Sequence, residues 1–441
     1  MNDHRLAFAE QPFLGAVVVP RAASAPVAEP RVLGLLIAGF AFVYLTYVVE
    51  GPLRYGLVLI DQTRWLYLRD LVIELTILWA AWRTVSTGAS LLNPVTIALA
   101  ALGCHLFIGL SHGTRPLAVA LGMKIALQFV WGLALADAAA RHRRALDGVH
   151  VVALLLCLAG LVIQSQVEDL PWLGGSFDTG LGTIGVSKKW WTTGGDLRYS
   201  GLARESFALA SLLGMSGLWL MCASRNVAVR VGVFAVTLVG IHLTTTKGML
   251  QGFFLGGLWL LLPARGSWKY GAGVVALALL LAIAVVAPLL VVGLDLGYGG
   301  TAGVPTVFLS LWDRFQITWP MSISLLDSPI DWITGNGLGA VGTPQMFWFD
   351  KRTAVTPDNL FLYMVVTYGA AAVVYMALTV FAVWKLGRTE SPASNFAMTI
   401  SLALASYGVT GNVLENPVAM VVLGMVLGQA AFAPRERAGH A

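Results

Sequence analysis

Residues 270–292 read YGAGVVALALLLAIAVVAPLLVV, 23 residues without a charge. A helix of that length rises about 1.5 Å per residue, or roughly 34 Å, and the hydrocarbon core of a bilayer is about 30 Å thick. Working outward, similar apolar runs lie near 33–49, 67–85, 94–110, 116–137, 148–165, 204–222, 227–244, 248–262, 359–384, 394–412 and 417–433. The chain of 441 residues is 57% hydrophobic and only 12% charged, with a mean hydropathy of +0.76. Soluble domains carry about twice that share of charge, so there is too little polar surface to coat a water-soluble globule. Composition thus excludes a soluble enzyme, a disordered chain and a disulfide scaffold. It predicts an all-α integral membrane protein of about twelve transmembrane helices, with a membrane domain over 33–433.

The net charge of +5 does not point to nucleic acid, because the basic residues sit in short connections between apolar runs, where they act as topology signals. With the N-terminus inside, fifteen of the 28 basic residues fall on cytoplasmic segments. That frame predicts cytoplasmic tails at 1–32 and 434–441. Residues 1–30 mix charges around one brief apolar run and read as a tail rather than a signal peptide. Cys104, Cys157 and Cys222 are far apart in apolar stretches and imply neither a disulfide framework nor a metal site. Gly252 and Gly256 have the GxxxG spacing of close helix packing.

Two long segments, 166–203 and 293–358, fall on the external side in this frame. Loops of this length are uncommon without a function. In the second, Val307 to Leu326 mixes apolar residues with Asp313, Arg314 and Gln316, the pattern of an amphipathic helix at the membrane surface. Arg198, Arg204, Lys247, Arg314 and Asp358 all fall at the outer interface. Four cations beside one carboxylate suit a phosphate ester, since guanidinium forks bind phosphate oxygens bidentately and gain strength where lipid excludes water. The carboxylate could serve as general base toward a hydroxyl. Each residue also has a structural reading. The arginines can snorkel to headgroups, Lys247 can end a helix, Arg314 can pair with Asp313, and Asp358 can cap the helix that follows. Trp190, Trp191 and Trp312 suit either sugar stacking or an aromatic belt.

Gly337 to Gly342 fits GxGxxG, but no βαβ unit flanks it. Arg69, Asp70, Glu74, Lys124 and Asp137 are charges inside or beside apolar runs, and they are the case for a flippase or secondary transporter. No internal repeat supports a transporter built from duplicated halves.

In order along the chain stand Arg198-x-x-Gly201, Thr246-Lys247-Gly248, Arg314 with Trp319, Gly335-x-Gly337-x-Gly339 and Asp358-Asn359-x-x-Leu362. This series resembles the O-antigen polymerase and ligase superfamily of membrane glycosyltransferases, in detail over roughly residues 190–385. The resemblance implies a GT-C-like membrane fold in the bacterial inner membrane, with a large periplasmic loop bearing amphipathic helices. It implies metal-independent polymerisation of oligosaccharide repeat units carried on undecaprenyl pyrophosphate, without cofactor. A chain-length regulator and a flippase are the implied partners besides the bilayer. It casts Arg198, Arg314 and Asp358 as catalytic, with Arg204, Lys247, Asn359, Trp312 and Gly337 contacting substrate. Lys247 stands where relatives carry Arg, and Asp358 where ligases carry His. The Asp-Asn form favours a polymerase over transfer of polymer to lipid A core by a ligase.

Overall fold

The computed structural model describes residues 30–86, 93–167, 169–178, 183–192, 195–262, 267–294, 305–348, 356–387 and 392–432. Apart from the first turn of the first helix, the expected tails lie outside these residues. The described chain is mostly helical, with α1 (Pro30–Val48), α2 (Glu50–Leu59), α3 (Leu68–Ser86), α4 (Pro94–Ser111), α5 (Pro116–Arg141) and α6 (Arg143–Gln166) in its first part. There follow α7 (Ser206–Ala223), α8 (Val227–Leu243), α9 (Lys247–Leu261) and α10 (Ser267–Gly293). The second long segment holds α11 (Thr306–Asp313), α12 (Trp319–Ile323), α13 (Pro329–Thr334) and α14 (Thr343–Trp348). The chain then runs through α15 (Leu360–Tyr368), α16 (Ala371–Gly387), α17 (Pro392–Gly408) and α18 (Pro417–Phe432).

Among the described residues α1, α4, α5, α6, α7 and α10 are long and apolar enough to cross a membrane, and α8, α16 and α18 are shorter apolar helices. The protein is therefore mostly helical and membrane-embedded in character. α7 is the most enclosed of the six, while α4 and α10 are the least buried. Small residues set the closest helix crossings. On α5 and α18 a Cβ at Gly132 would stand 2.2 Å from the Val421 carbonyl, and one at Gly424 2.2 Å from that of Phe129. The GxxxG of α9 works in the same way, since a Cβ at Gly252 would stand 2.3 Å from the Ala403 carbonyl on α17.

Two features depart from the expected layout. The apolar run 359–384 is not one helix. Gly369, at φ +58°, ends α15, and its backbone is pressed against the Ile333 carbonyl of α13, so α16 starts afresh. The segment 166–203 is also not purely irregular. It folds into two short antiparallel ribbons, β1 (Ser176–Asp178) with β2 (Thr183–Gly185) and β3 (Trp190–Trp191) with β4 (Leu197–Arg198). Their Phe, Ile, Thr and Trp residues favour the pleated backbone. The stretch Val307–Leu326 is largely helical, as α11 and α12 joined by a π-helical turn at Arg314–Thr318.

The long segments and the connections α1–α2, α4–α5, α8–α9 and α17–α18 meet at one end of the bundle. Gly51 N–H donates to the Leu202 carbonyl at 2.9 Å, Leu338 N–H to that of His105 at 3.0 Å, and Thr343 N–H to Glu415 at 2.6 Å. At the opposite end, Arg143 reaches the Cys222 carbonyl and Lys269 that of Leu262.

Candidate active site

Arg198, Arg314 and Asp358 come from three separate segments and meet at the loop end. The β3–β4 pairing sets Arg198 opposite Trp190. Its guanidinium lies 4.4 Å from the Phe207 ring centroid and 6.0 Å from that of Trp190, and Nη2 is 3.5 Å from Thr246 Oγ1. Arg314 opens the π-helical turn, a backbone irregularity common at functional sites. Its Nη1 donates to Ser310 Oγ at 2.7 Å, and its Nη2 pairs with Asp358 Oδ2 at 3.0 Å. Asp358 precedes the N-cap of α15 and is partly exposed.

The electrostatics of the three are joint. Burial pushes the Asp358 carboxyl above its ordinary value, and Arg314 and Arg198 pull it back. Burial lowers the Arg198 guanidinium; Tyr407, Asp358 and Glu205 raise it, and the like charge of Arg314 lowers it. Two cations therefore bear on one carboxylate and on each other. Nε of Arg198, Arg204 and Arg314 is buried without a hydrogen-bond partner in each case. A buried N–H left unpaired is costly, and a tetrahedral oxyanion offers the acceptors such donors lack.

The remaining expected site residues fall elsewhere. Arg204 bears electrostatically on Glu50 and Arg54, so it belongs to a second cluster. There Arg54 Nε donates to Glu50 at 2.8 Å, and Arg69 stands 3.4 Å from Glu50 and 4.0 Å from Asp70. Lys124 closes on Asp70 at 2.6 Å. Burial would raise the Glu50 carboxyl, but Arg69, Arg54 and Arg204 outweigh it and hold it at about 2. Lys247 opens α9 beside Thr246. It lines an apolar groove of about 580 Å³ between α8 and α9 with His242, Leu250, Gln251 and Phe254.

Asn359 is a correction. It is fully buried as the N-cap of α15, accepts from Leu362 N–H, and gives both amide protons to the Ala284 and Val409 carbonyls. Nothing on that side chain is left for a substrate. Gly337 is a second correction. At φ +78° its backbone packs into α4, where a Cβ would fall 2.0 Å from Gly109 N, and Gly339 does the same against Ala118 of α5. These glycines exist for close approach, not for phosphate. The Trp312 ring lies 6.4 Å from that of Phe315, tilted against it, and Phe315 in turn packs on the buried Trp319 at 5.0 Å.

The sequence reading passed over Glu415, in the connection between α17 and α18. Its carboxylate accepts from Thr343 N–H and Oγ1–H at 2.6 and 2.7 Å and from the Tyr363 hydroxyl. Burial raises it to about 7 even though the Thr343 hydrogen bonds pull the other way. An acid alone between two apolar helices was the available signal. It also passed over Glu50 and Arg54, whose i,i+4 spacing just beyond the first apolar run was legible. Among the described residues no three His, Cys, Asp or Glu side chains gather to hold a metal ion. The chain matches no family model and no curated protein.

Proposed function

We propose that this chain is an inner-membrane glycosyltransferase that polymerises oligosaccharide repeat units carried on undecaprenyl pyrophosphate, with about twelve spans and the loop end facing the periplasm. One observation carries the proposal: Arg198 and Arg314, drawn from segments more than a hundred residues apart, both bear on Asp358 with their Nε donors buried and unpaired.

Glycosyl transfer from a lipid pyrophosphate breaks the bond between the anomeric carbon and the phosphate oxygen and forms a new bond from that carbon to an acceptor hydroxyl oxygen. Negative charge grows on the departing pyrophosphate, and the acceptor hydroxyl must lose its proton. Guanidinium donors fixed in advance meet the first demand at little reorganisation cost. Asp358 meets the second and passes the proton to water. The ion pair couples the two roles, because pyrophosphate competes with Asp358 for Arg314 and so releases the carboxylate to act as base. The apolar groove beside Lys247, one residue from the Thr246 hydroxyl that Arg198 touches, suits the isoprenoid tail of such a lipid.

Transport is the rival reading, and the charge pattern weighs against it. Arg69 pairs with Glu50 and Asp70, Lys124 pairs with Asp70, Asp137 pairs with Arg141, and Glu74 is exposed. Deleting the gene and analysing lipid-linked intermediates tests the proposal. Single repeats without polymer support it. Finished polymer that stays off lipid A core would instead make the chain a ligase, and intermediates trapped on the cytoplasmic side a flippase.

A further inference from the structure

A second cavity, of about 280 Å³, opens at the loop end between the α4–α5 turn and the second long segment. His112, Thr114, Asp327, Asp331, Asn336 and Gln345 supply its polar lining, and among the described residues no lysine or arginine contributes. One N–H of each side-chain amide is already committed: Asn336 Nδ2 donates to the Leu325 carbonyl at 2.7 Å and Gln345 Nε2 to the Gly339 carbonyl at 2.6 Å. Their oxygens remain for the cavity, and Gln345 is 9% exposed, so its Oε1 is an acceptor set deep in the wall. Asp331 gives one oxygen to Ser328 N–H in a capping box and turns the other toward His112 Nδ1 at 4.0 Å. The wall therefore presents two carboxylates and two amide oxygens, which ask for a ligand rich in O–H or N–H donors.

The cavity is also tied to the candidate active site. Asn336 N–H donates to the Val366 carbonyl of α15, the helix that Asp358 precedes. From Asn359 to Val366 is about 10 Å along that axis, far enough for a sugar other than the reacting one. The charge signs differ between the two places. Cations gather where a pyrophosphate would sit, and acids and acceptors line this cavity.

We propose that this cavity is a glycan subsite for a neutral or amino sugar of the repeat unit, and that it rejects uronic acids and other anionic sugars. The proposal rests on the transferase reading above and narrows its substrate. Among the described residues an anionic sugar would meet Asp327 and Asp331 with no lysine or arginine in the wall, and like charges at close range discriminate strongly.

The test uses the full-length protein in nanodiscs and three tetrasaccharide probes: a neutral hexose tetramer, a glucosamine tetramer and a galacturonic acid tetramer. Titration calorimetry or saturation-transfer NMR reads the binding. Glucosamine and neutral tetramers should bind at least tenfold more tightly than the galacturonate. Asp327→Lys, at an exposed position, should reverse the preference between the two charged probes, and Gln345→Ala should weaken the binding of all three. The proposal is overturned if galacturonate binds the unaltered protein as well as the neutral probe, if Asp327→Lys leaves the order unchanged, or if none of the three binds. Arg314→Gln should keep this binding. Failure of the transferase reading would thus appear in the lipid-linked intermediates while probe binding persists.

Discussion

Arg314 Nη2 and Asp358 Oδ2 stand 3.0 Å apart although one belongs to a π-helical turn in a surface segment and the other to the approach to α15. The pair fixes the surface segment over the bundle end and, under the proposed mechanism, sets the charge state of the base. Replacing either member with its uncharged isostere, Arg314→Gln or Asp358→Asn, should lower polymer formation in proteoliposomes by about 10²-fold or more, the usual cost of losing one group that stabilises transition-state charge. The double variant should lose little beyond the worse single one, because the two act as a unit. Additive losses would separate their roles.

Arg198 gives a prediction of different form. Burial raises the Asp358 carboxyl, and Arg198 is one of the two cations that oppose this. A base must be ionised to accept a proton, so activity rises as pH climbs through its pKa. Arg198→Gln removes a cation and should move the acid limb of the pH–rate profile upward by roughly half a unit or more. A fall in rate with an unmoved limb would mean that Arg198 binds substrate without tuning Asp358.

The glycines of the second long segment can be tested by comparing two positions with similar backbone. Gly337 and Gly113 have φ of +78° and +75°, but a Cβ at Gly113 meets nothing within 4 Å, whereas at Gly337 it would overlap Gly109 N. Gly113→Ala should cost only the left-handed backbone penalty, about 1–3 kcal/mol. Gly337→Ala adds a backbone overlap that no rotamer relieves. Its thermal midpoint in detergent should fall at least twice as far. Equal losses at the two sites would show that the loop can lift from α4.

The contrast between these glycines marks where sequence stops being informative. Apolar runs announced the helices because transfer into lipid is summed residue by residue along the chain, as at 270–292. Even α3, which carries several charges, and the short α9 lie where the runs at 67–85 and 248–262 put them. The two-part helix at Gly369 was hidden because its cause, the Ile333 carbonyl, lies in another segment. Asn359 and Gly337 were misassigned for the same reason: a motif gives residue types in order, and only packing tells whether a side chain faces a substrate or the backbone beside it. Arg198, Arg314 and Asp358 were legible because unpaired charge beside an apolar run demands a partner, although the sequence did not say which. Glu415 had that signal too, but its partner Thr343 carries no charge.

Glu415 supplies the remaining prediction. It joins the start of α14 to the α17–α18 connection through Thr343, and burial raises its carboxyl to about 7. An unfolded glutamate titrates near 4.3. Between those values the folded protein holds a proton that the unfolded chain has released, so this contribution to stability is complete below about pH 4.3 and is lost as pH rises through about 7. The thermal midpoint should therefore fall between pH 5 and pH 8 and level off above. Glu415→Gln keeps an acceptor for Thr343 and imitates the protonated acid, so its midpoint should lack that part of the slope and should exceed that of the unaltered protein at pH 8. If the two proteins instead follow parallel curves across this range, Glu415 stays ionised throughout, and the link between α14 and the α17–α18 connection does not respond to pH.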